Sequence, residues 1–206
     1  MKLKTLMKLP TTVRIAFSGG VDSLVAAHYY GVFLNLNVEL WHFNHGCQYS
    51  DQIEKECRAL ADNILKLPIV VGNVKGDRSK GQSLEDFWRR ERYSFLRSSS
   101  IPFATAHHLD DSVEGWCMSA MHGNPKLIPY KDDLVYRPFL IVRKEKLQEY
   151  ADAHDLYPVY DPYNDDLHLT RNYVRANMME HVLKINPGIH KVIKKKYLQE
   201  IAKNVG

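Results

Sequence analysis

Cysteine is scarce in this chain. Its 206 residues include three, Cys47, Cys57 and Cys117, widely spaced and without a C-x-x-C pair, so no spacing suggests a zinc site, a dithiol redox couple or an iron–sulfur cluster. That usage predicts a reducing, cytoplasmic setting. Long apolar runs are also missing, which argues against a membrane span and a membrane partner. Met1 to Pro10 scatters Lys2, Lys4 and Lys8 among apolar residues with no small-residue cleavage site, so no signal peptide is predicted. There is neither an internal repeat nor a low-complexity tract. Acidic charge is in slight deficit, 24 Asp and Glu against 28 Lys and Arg, for a formal net charge of +4. Much of the basic excess falls at Lys191, Lys194, Lys195, Lys196 and Lys203, a pattern compatible with a polyanionic partner.

With 45% hydrophobic and 25% charged residues, the chain has the statistics of a globular protein able to bury one sizeable core. Apolar runs alternate with amphipathic stretches, the rhythm of a parallel sheet with crossover helices. Strands are predicted at 13–17, 38–43, 68–74 and 102–106. Helices are expected after Asp22, from Ser50 through Ile64, from Ser83 to about Arg97 with Ser83 and Asp86 as an N-cap pair, and from Asp110 to about Met121. The stripe of Tyr29, Tyr30, Phe33 and Leu36 reads as core packing. Lys75 to Gln82 reads as a mobile loop. Past Gly123 the pattern loosens around Pro125, Pro129 and Pro138. It resumes as a helix from Arg143 to His154, a turn over Asp161 to Asp166, and helices at 172–185 and 187–204. The expectation is a doubly wound α/β fold with a mostly parallel sheet. Residues 1–155 would form the catalytic domain and 156–206 a small helical extension of it.

The first strand ends in Ser18-Gly19-Gly20-Val21-Asp22-Ser23 and runs straight into a helix. Backbone N–H groups at such a corner, with the helix dipole behind them, favour an anion, and the glycines allow close approach. Ser18 and Ser23 offer hydroxyl donors. Asp22 makes electrostatic sense in an anion site mainly if it faces a cation such as Mg²⁺, or an amine. A Gly-Gly turn capped by Asp22 or Ser23 is the plainer reading of the pair alone.

The six-residue string resembles the PP-loop signature of the ATP pyrophosphatases and differs from the kinase-type G-x-x-x-x-G-K-[ST] loop. Four further stretches follow in the order found in tRNA(Ile)-lysidine synthetases. His42-Phe43-Asn44-His45-Gly46 resembles that family's H-x-N-H-G turn, and Arg89, Arg92 and Tyr93 match its R-x-x-R-Y pattern. Ala106-His107-His108-Leu109-Asp110-Asp111-Ser112-Val113-Glu114 resembles A-H-H-x-x-D-x-x-E-T, with Gly115 in place of Thr. Asp161-Pro162-Tyr163-Asn164 with Arg171-Asn172-Tyr173-Val174-Arg175 resembles D-P-S-N with R-N-x-x-R.

The resemblance implies an ATP- and Mg²⁺-dependent ligase that adenylates the C2 oxygen of the wobble cytidine in a tRNA(Ile) with a CAU anticodon. Free lysine then attacks C2 and displaces AMP. By the same resemblance, Asp22, Asp111, Glu114 and Arg171 are candidate catalytic residues. Ser18 to Ser23, His107 and His108 would hold the nucleotide and Asp22 the metal, while Asn44, His45, Arg89, Arg92, Asn164, Asn172 and Arg175 would meet tRNA or substrate. Asp111 and Glu114 lie three apart, so both carboxylates share a helix face and could hold or deprotonate an amine. Alone, they would read as a solvated helix start. Arg89 and Arg92 have an alternative as an outer helix face pairing with Glu85 and Glu91, and Asn44 and His45 as a capped turn. Cys47 reads as a bystander, which argues against thiolation through a catalytic cysteine. Family members usually carry further C-terminal domains that grip tRNA, so a homo-oligomer or a partner supplying them is an open expectation. Two other readings compete: adenylation of a different RNA base or of a small carboxylate or amide, and a non-catalytic nucleotide or RNA binder.

Overall fold

A computed structural model of the chain describes residues 1–205. Its elements in chain order are β1 (Thr12–Ala16), α1 (Val21–Ala27), β2 (Asn37–Asn44), α2 (Ser50–Ala59), β3 (Ile69–Asn73), α3 (Leu84–Leu96), β4 (Phe103–Ala104) and α4 (Leu109–Met121). They continue with β5 (Lys131–Asp132), β6 (Val135–Tyr136), α5 (Lys144–Ala153), α6 (Thr170–Asn177), α7 (Met179–Ile185) and α8 (Ile189–Val205). Both α1 and α2 run on into a six-residue π-helical segment, His28–Phe33 and Leu60–Leu65. No described helix is long and apolar enough to cross a membrane.

The six strands lie in the order β3-β2-β1-β4-β6-β5, parallel throughout except for the β5 and β6 pair. The α/β class and the mostly parallel sheet expected from the alternating pattern are therefore present. Chain order runs one way from β1 to β3 and the other way from β1 to β4. The switch point falls between the carboxyl ends of β1 and β4, the place where open α/β sheets form a crevice.

Alternation along β1 divides the core. Val13, Ile15 and Phe17 face α1, α2 and α5, and they join Leu24, Val25, Tyr29, Tyr30, Leu40 and Tyr150 in the main cluster. On the opposite face Trp41, Leu96, Phe103 and Val135 pack under α3. Arg14 also points there and is fully buried, its guanidinium 4.2 Å from the Trp41 ring centre. It donates to the carbonyls of Ser99, at 3.0 Å, and of Ile101. A third cluster joins α4 to α8. Ile189, Ile193 and Tyr197, spaced four apart, form an apolar seam, while Lys191, Lys195 and Lys196 stay exposed.

Several local expectations change. The fourth strand shrinks to two residues, and the irregular stretch past Gly123 contains the β5–β6 hairpin. α2 begins at Ser50 as expected, but no side chain caps it, and the Ser50 hydroxyl accepts from the Cys47 N–H. Phe33 is 43% exposed, unlike Tyr29 and Tyr30. Residues 75–82 carry no regular structure but are tied to α3, where the Glu91 carboxylate accepts from the N–H groups of Lys75 and Gly76. The helix expected over 172–185 breaks at Met178 into α6 and α7. The two halves answer different demands: Arg171 and Arg175 bind α6 to acidic residues of α4, whereas Met179, Val182 and Leu183 of α7 pack on the third cluster.

Candidate active site

The loop after β1 is held from within. Gly19 adopts φ +80°, and a Cβ there would lie 2.7 Å from Cys57 Sγ and 2.9 Å from a Val159 methyl. Its carbonyl accepts from the Val159 N–H at 3.0 Å, which brings the chain after α5 over the loop. Ser23 is buried and turned inward: its hydroxyl donates to the Gly20 carbonyl at 2.9 Å and accepts from the Ser18 N–H at 3.2 Å. Gly20 is the N-cap of α1 and no side chain caps the helix, so the first N–H groups of α1 keep their capacity for an anion. Ser18 is exposed at the mouth, and Val21 and Asp22 are partly buried behind it.

Asp22 meets a cation supplied by the protein. Lys144 Nζ lies 2.7 Å from both carboxylate oxygens. Lysine at the first position of α5 opposes the helix dipole, and that mismatch is the sequence signal that marks Lys144. The neighbouring Asp110 accepts from the Lys144 N–H at 2.8 Å, Arg143 Nε at 3.1 Å and His190 Nε2 at 3.0 Å. Burial opposes ionisation of Asp110, but these contacts outweigh it and hold its carboxyl below the usual range. Asp110, Arg143, Lys144 and His190 were not anticipated from the sequence as site residues.

His108 links the loop to α4. Its buried ring caps the helix, Nδ1 accepting from the Asp111 N–H at 3.3 Å, while Asp111 Oδ2 accepts from the His108 N–H at 2.9 Å. An accepting Nδ1 leaves the proton on Nε2, which lies 3.4 Å from Asp111 and 3.8 Å from Asp22. His107 makes a 2.7 Å hydrogen bond with Thr105 Oγ1, and burial drives its imidazole well below the ordinary value, so it is neutral near pH 7.

Asp111 and Glu114 are both buried, and they face Arg171 and Arg175 of α6. Asp111 Oδ1 accepts from Arg171 Nη2 at 3.1 Å and from Arg175 Nη2 at 3.2 Å. Arg175 forks onto Glu114 through Nε at 2.8 Å and Nη2 at 2.9 Å, and Arg171 Nε stands 3.5 Å from the same carboxylate. Burial works against ionisation of Asp111, yet His108, Arg171 and the His108 backbone N–H hold its carboxyl below the usual range. The spacing of three on α4 and four on α6 places all four groups at one helix crossing.

The remaining candidates lie around this centre. Asn44 donates to Asp51 and Glu54 at 2.9 Å each and accepts from the Gly46 N–H, so its amide is used inside the turn. His45 is partly buried beside Trp88. Asn172 spans the Asp161–Asp166 turn by donating to the Tyr163 and Asp166 carbonyls, while Asn164 is exposed on that turn. Arg89 is exposed and stacks over Tyr93; neither it nor Arg92 makes the alternative pairing with Glu85 or Glu91, and Arg90 takes Glu91 instead. Arg92 is partly buried, and its charge acts on His45 on one side and His107 on the other.

Comparison with known proteins matches residues 2–182 to the PP-loop domain family. A tRNA(Ile)-lysidine synthase from Vibrio vulnificus is 32% identical over 187 residues, covering 84% of this chain and 43% of the relative. One from Persephonella marina is 31% identical over 193 residues, covering 86% and 42%. The chain thus spans about two fifths of the length of these curated relatives. Among solved structures, a U34-tRNA thiolase from Methanococcus maripaludis superposes with a TM-score of 0.67 at 18% identity, covering 96% of this chain and 74% of the other. An NH3-dependent NAD synthetase from Campylobacter jejuni gives 0.50 at 17%, covering 96% and 88%. At those identities the likeness is one of fold.

Proposed function

The chain belongs to the PP-loop domain family, and from that premise we propose that it is the catalytic domain of a tRNA(Ile)-lysidine synthetase-like ligase. The observation that carries this reading is the continuous polar path from the phosphate loop to the carboxylate pair. It runs from Asp22 through His108 to Asp111, and from there through Arg171 and Arg175 to Glu114. ATP would supply the adenylyl group, with its phosphates on the uncapped N–H groups after Gly20 and the Ser18 hydroxyl. Mg²⁺ suits Asp22, whose carboxylate takes an ammonium contact on both oxygens, and there it would neutralise phosphate charge.

The chain's own groups then have distinct work. Arg171 and Arg175, partly exposed beside the loop, can turn from the carboxylates to the departing pyrophosphate. Asp111 and Glu114 would be left free to hold the ammonium of a lysine substrate and accept the proton it loses on attack at C2. Lys144 keeps Asp22 charge-balanced, and Asp110 anchors Lys144 through its backbone N–H. The wobble cytidine as acceptor and lysine as nucleophile follow the resemblance of the motifs, and relatives named tRNA(Ile)-lysidine synthase support that reading.

The test is incubation of the protein with ATP, lysine and a CAU-anticodon tRNA(Ile), followed by mass spectrometry of the nucleosides. Lysine incorporation with stoichiometric AMP release is expected. AMP release with another acceptor and none with this tRNA would reassign the substrate.

A further inference from the structure

The path just described leaves unused a second cleft at the carboxyl ends of β2 and β3. It has a volume of about 460 Å³ and is walled by His45 and Cys47 after β2, Asp77 and Arg78 after β3, Trp88 of α3, and Tyr163 of the Asp-Pro turn. We propose that this cleft is a nucleobase-stacking site serving the adenylation reaction, an inference that rests on the function proposed above and adds a subsite to it.

Three features select a flat neutral heterocycle. The rings are inclined to one another, Trp88 to Tyr163 at 76° and 5.7 Å and His45 to Trp88 at 52° and 5.2 Å, so no two of them stack face to face and a flat ligand can add a stacked contact on the cleft side. Asp77 and Arg78 balance in charge. His45 adds none near pH 7, since burial and the adjacent Arg92 push its imidazole down to about 4. An ammonium would find no net opposite charge and a phosphate only that of Arg92 behind His45, whereas a base finds π-faces. His45 Nδ1 is buried without a hydrogen-bond partner in the protein, a polar atom available to a heterocycle edge after a small ring movement. Gly46 at φ +68° forms part of the wall as bare backbone, and a Cβ there would press on Val74 at 3.0 Å.

Position supports the assignment. Tyr163 lies four residues beyond Val159, whose N–H binds the Gly19 carbonyl, so one short segment touches both the phosphate loop and the cleft. Arg92 acts electrostatically on His45 at the cleft and is itself acted on by Arg171 at the carboxylate pair. A base seated here belongs either to ATP or to the RNA acceptor.

The experiment uses the full chain and the emission of Trp88, isolated by difference against Trp88→Phe because Trp41 and Trp116 also emit. Tripolyphosphate, ATP and a CAU anticodon stem-loop are titrated separately, and binding is measured in parallel by equilibrium dialysis. Tripolyphosphate should leave Trp88 emission unchanged, and at least one base-bearing ligand should alter it. Trp88→Ala should weaken that ligand on the order of 10-fold or more, and Trp88→Phe should recover most of the loss. A response to ATP identifies the base as adenine, and a response to RNA alone identifies it as an acceptor base. If ATP and RNA bind while Trp88 emission and the affinity of Trp88→Ala stay unchanged, the cleft is not a base site and the proposed function survives. If neither binds, both proposals fall.

Discussion

Gly19 and Gly20 are adjacent in sequence, yet the structure assigns them different costs, and alanine at each position separates packing from ligand access. At Gly19 the backbone is left-handed, φ +80°, and alanine there costs about 1–2 kcal/mol. The new methyl would also press on Cys57 Sγ and Val159, at 2.7 and 2.9 Å. Overpacking of this kind costs a further ~1–3 kcal/mol. In a chain of this size 1 kcal/mol moves the melting temperature by about 2–4 °C, so Gly19→Ala should lower it by roughly 5–15 °C. Cys57→Ala should restore part of that loss, giving a favourable coupling of about 1 kcal/mol in a double-mutant cycle. At Gly20 the backbone is ordinary, φ −64° and ψ 158°, and the nearest atom to an added Cβ is Ser18 Oγ at 3.6 Å. Gly20→Ala should therefore keep stability within about 1 kcal/mol of the parent. It should still weaken ATP binding by about 10-fold or more, because the methyl stands where phosphate must approach backbone. Thermal unfolding by circular dichroism and ATP titration by calorimetry read the two effects. An unchanged melting temperature for Gly19→Ala, or an equal loss for both variants, would refute the reasoning.

Three other outcomes are expected. Asp111→Asn and Glu114→Gln should each reduce turnover by about 10²-fold or more, with some loss of stability in urea, since each amide keeps one accepting oxygen and turns an NH2 toward the His108 N–H or the Arg175 guanidinium; unchanged AMP release in both would remove them from the chemistry. Tyr197→Phe should cost about 1–3 kcal/mol in urea unfolding, because the buried hydroxyl donates to the Ile128 carbonyl at 2.9 Å with Ser112 Oγ also within reach at 3.0 Å. Stability should fall on acidification in two ranges. Between pH 6.5 and about 4 the unfolded chain protonates His45 while the native ring resists, so His45→Gln should flatten that slope. Below the ordinary carboxylate range, the stabilisation from Asp111 with its depressed value should be lost as the native carboxyl takes up its proton, and Asp111→Asn should remove that part of the midpoint-versus-pH curve.

Local sequence determined much of this protein. Glycine at two consecutive positions after an alternating strand specified the tight corner between β1 and α1, period-two and period-3.6 patterns located β1 to β3 and α1 to α5, and a Ser83 cap set the start of α3. The three-residue step between Asp111 and Glu114 and the four-residue step between Arg171 and Arg175 placed each pair on one helix face, because those offsets are fixed by helix geometry. What only the tertiary structure decided is which faces meet. The reversal of strand order between β1 and β4 brings Asp22 beside His108, 86 positions later in the chain. No local pattern records that reversal. The Asp22 contact with Lys144 and the Asp110 contact with His190 arise the same way, from helices packed at one end of the sheet. Burial of Arg14 in a strand whose alternation would send it outward depends on α3 closing that face. Charge pairing and burial are properties of three-dimensional neighbourhood, so the sequence could name the groups of this site but could not choose their partners.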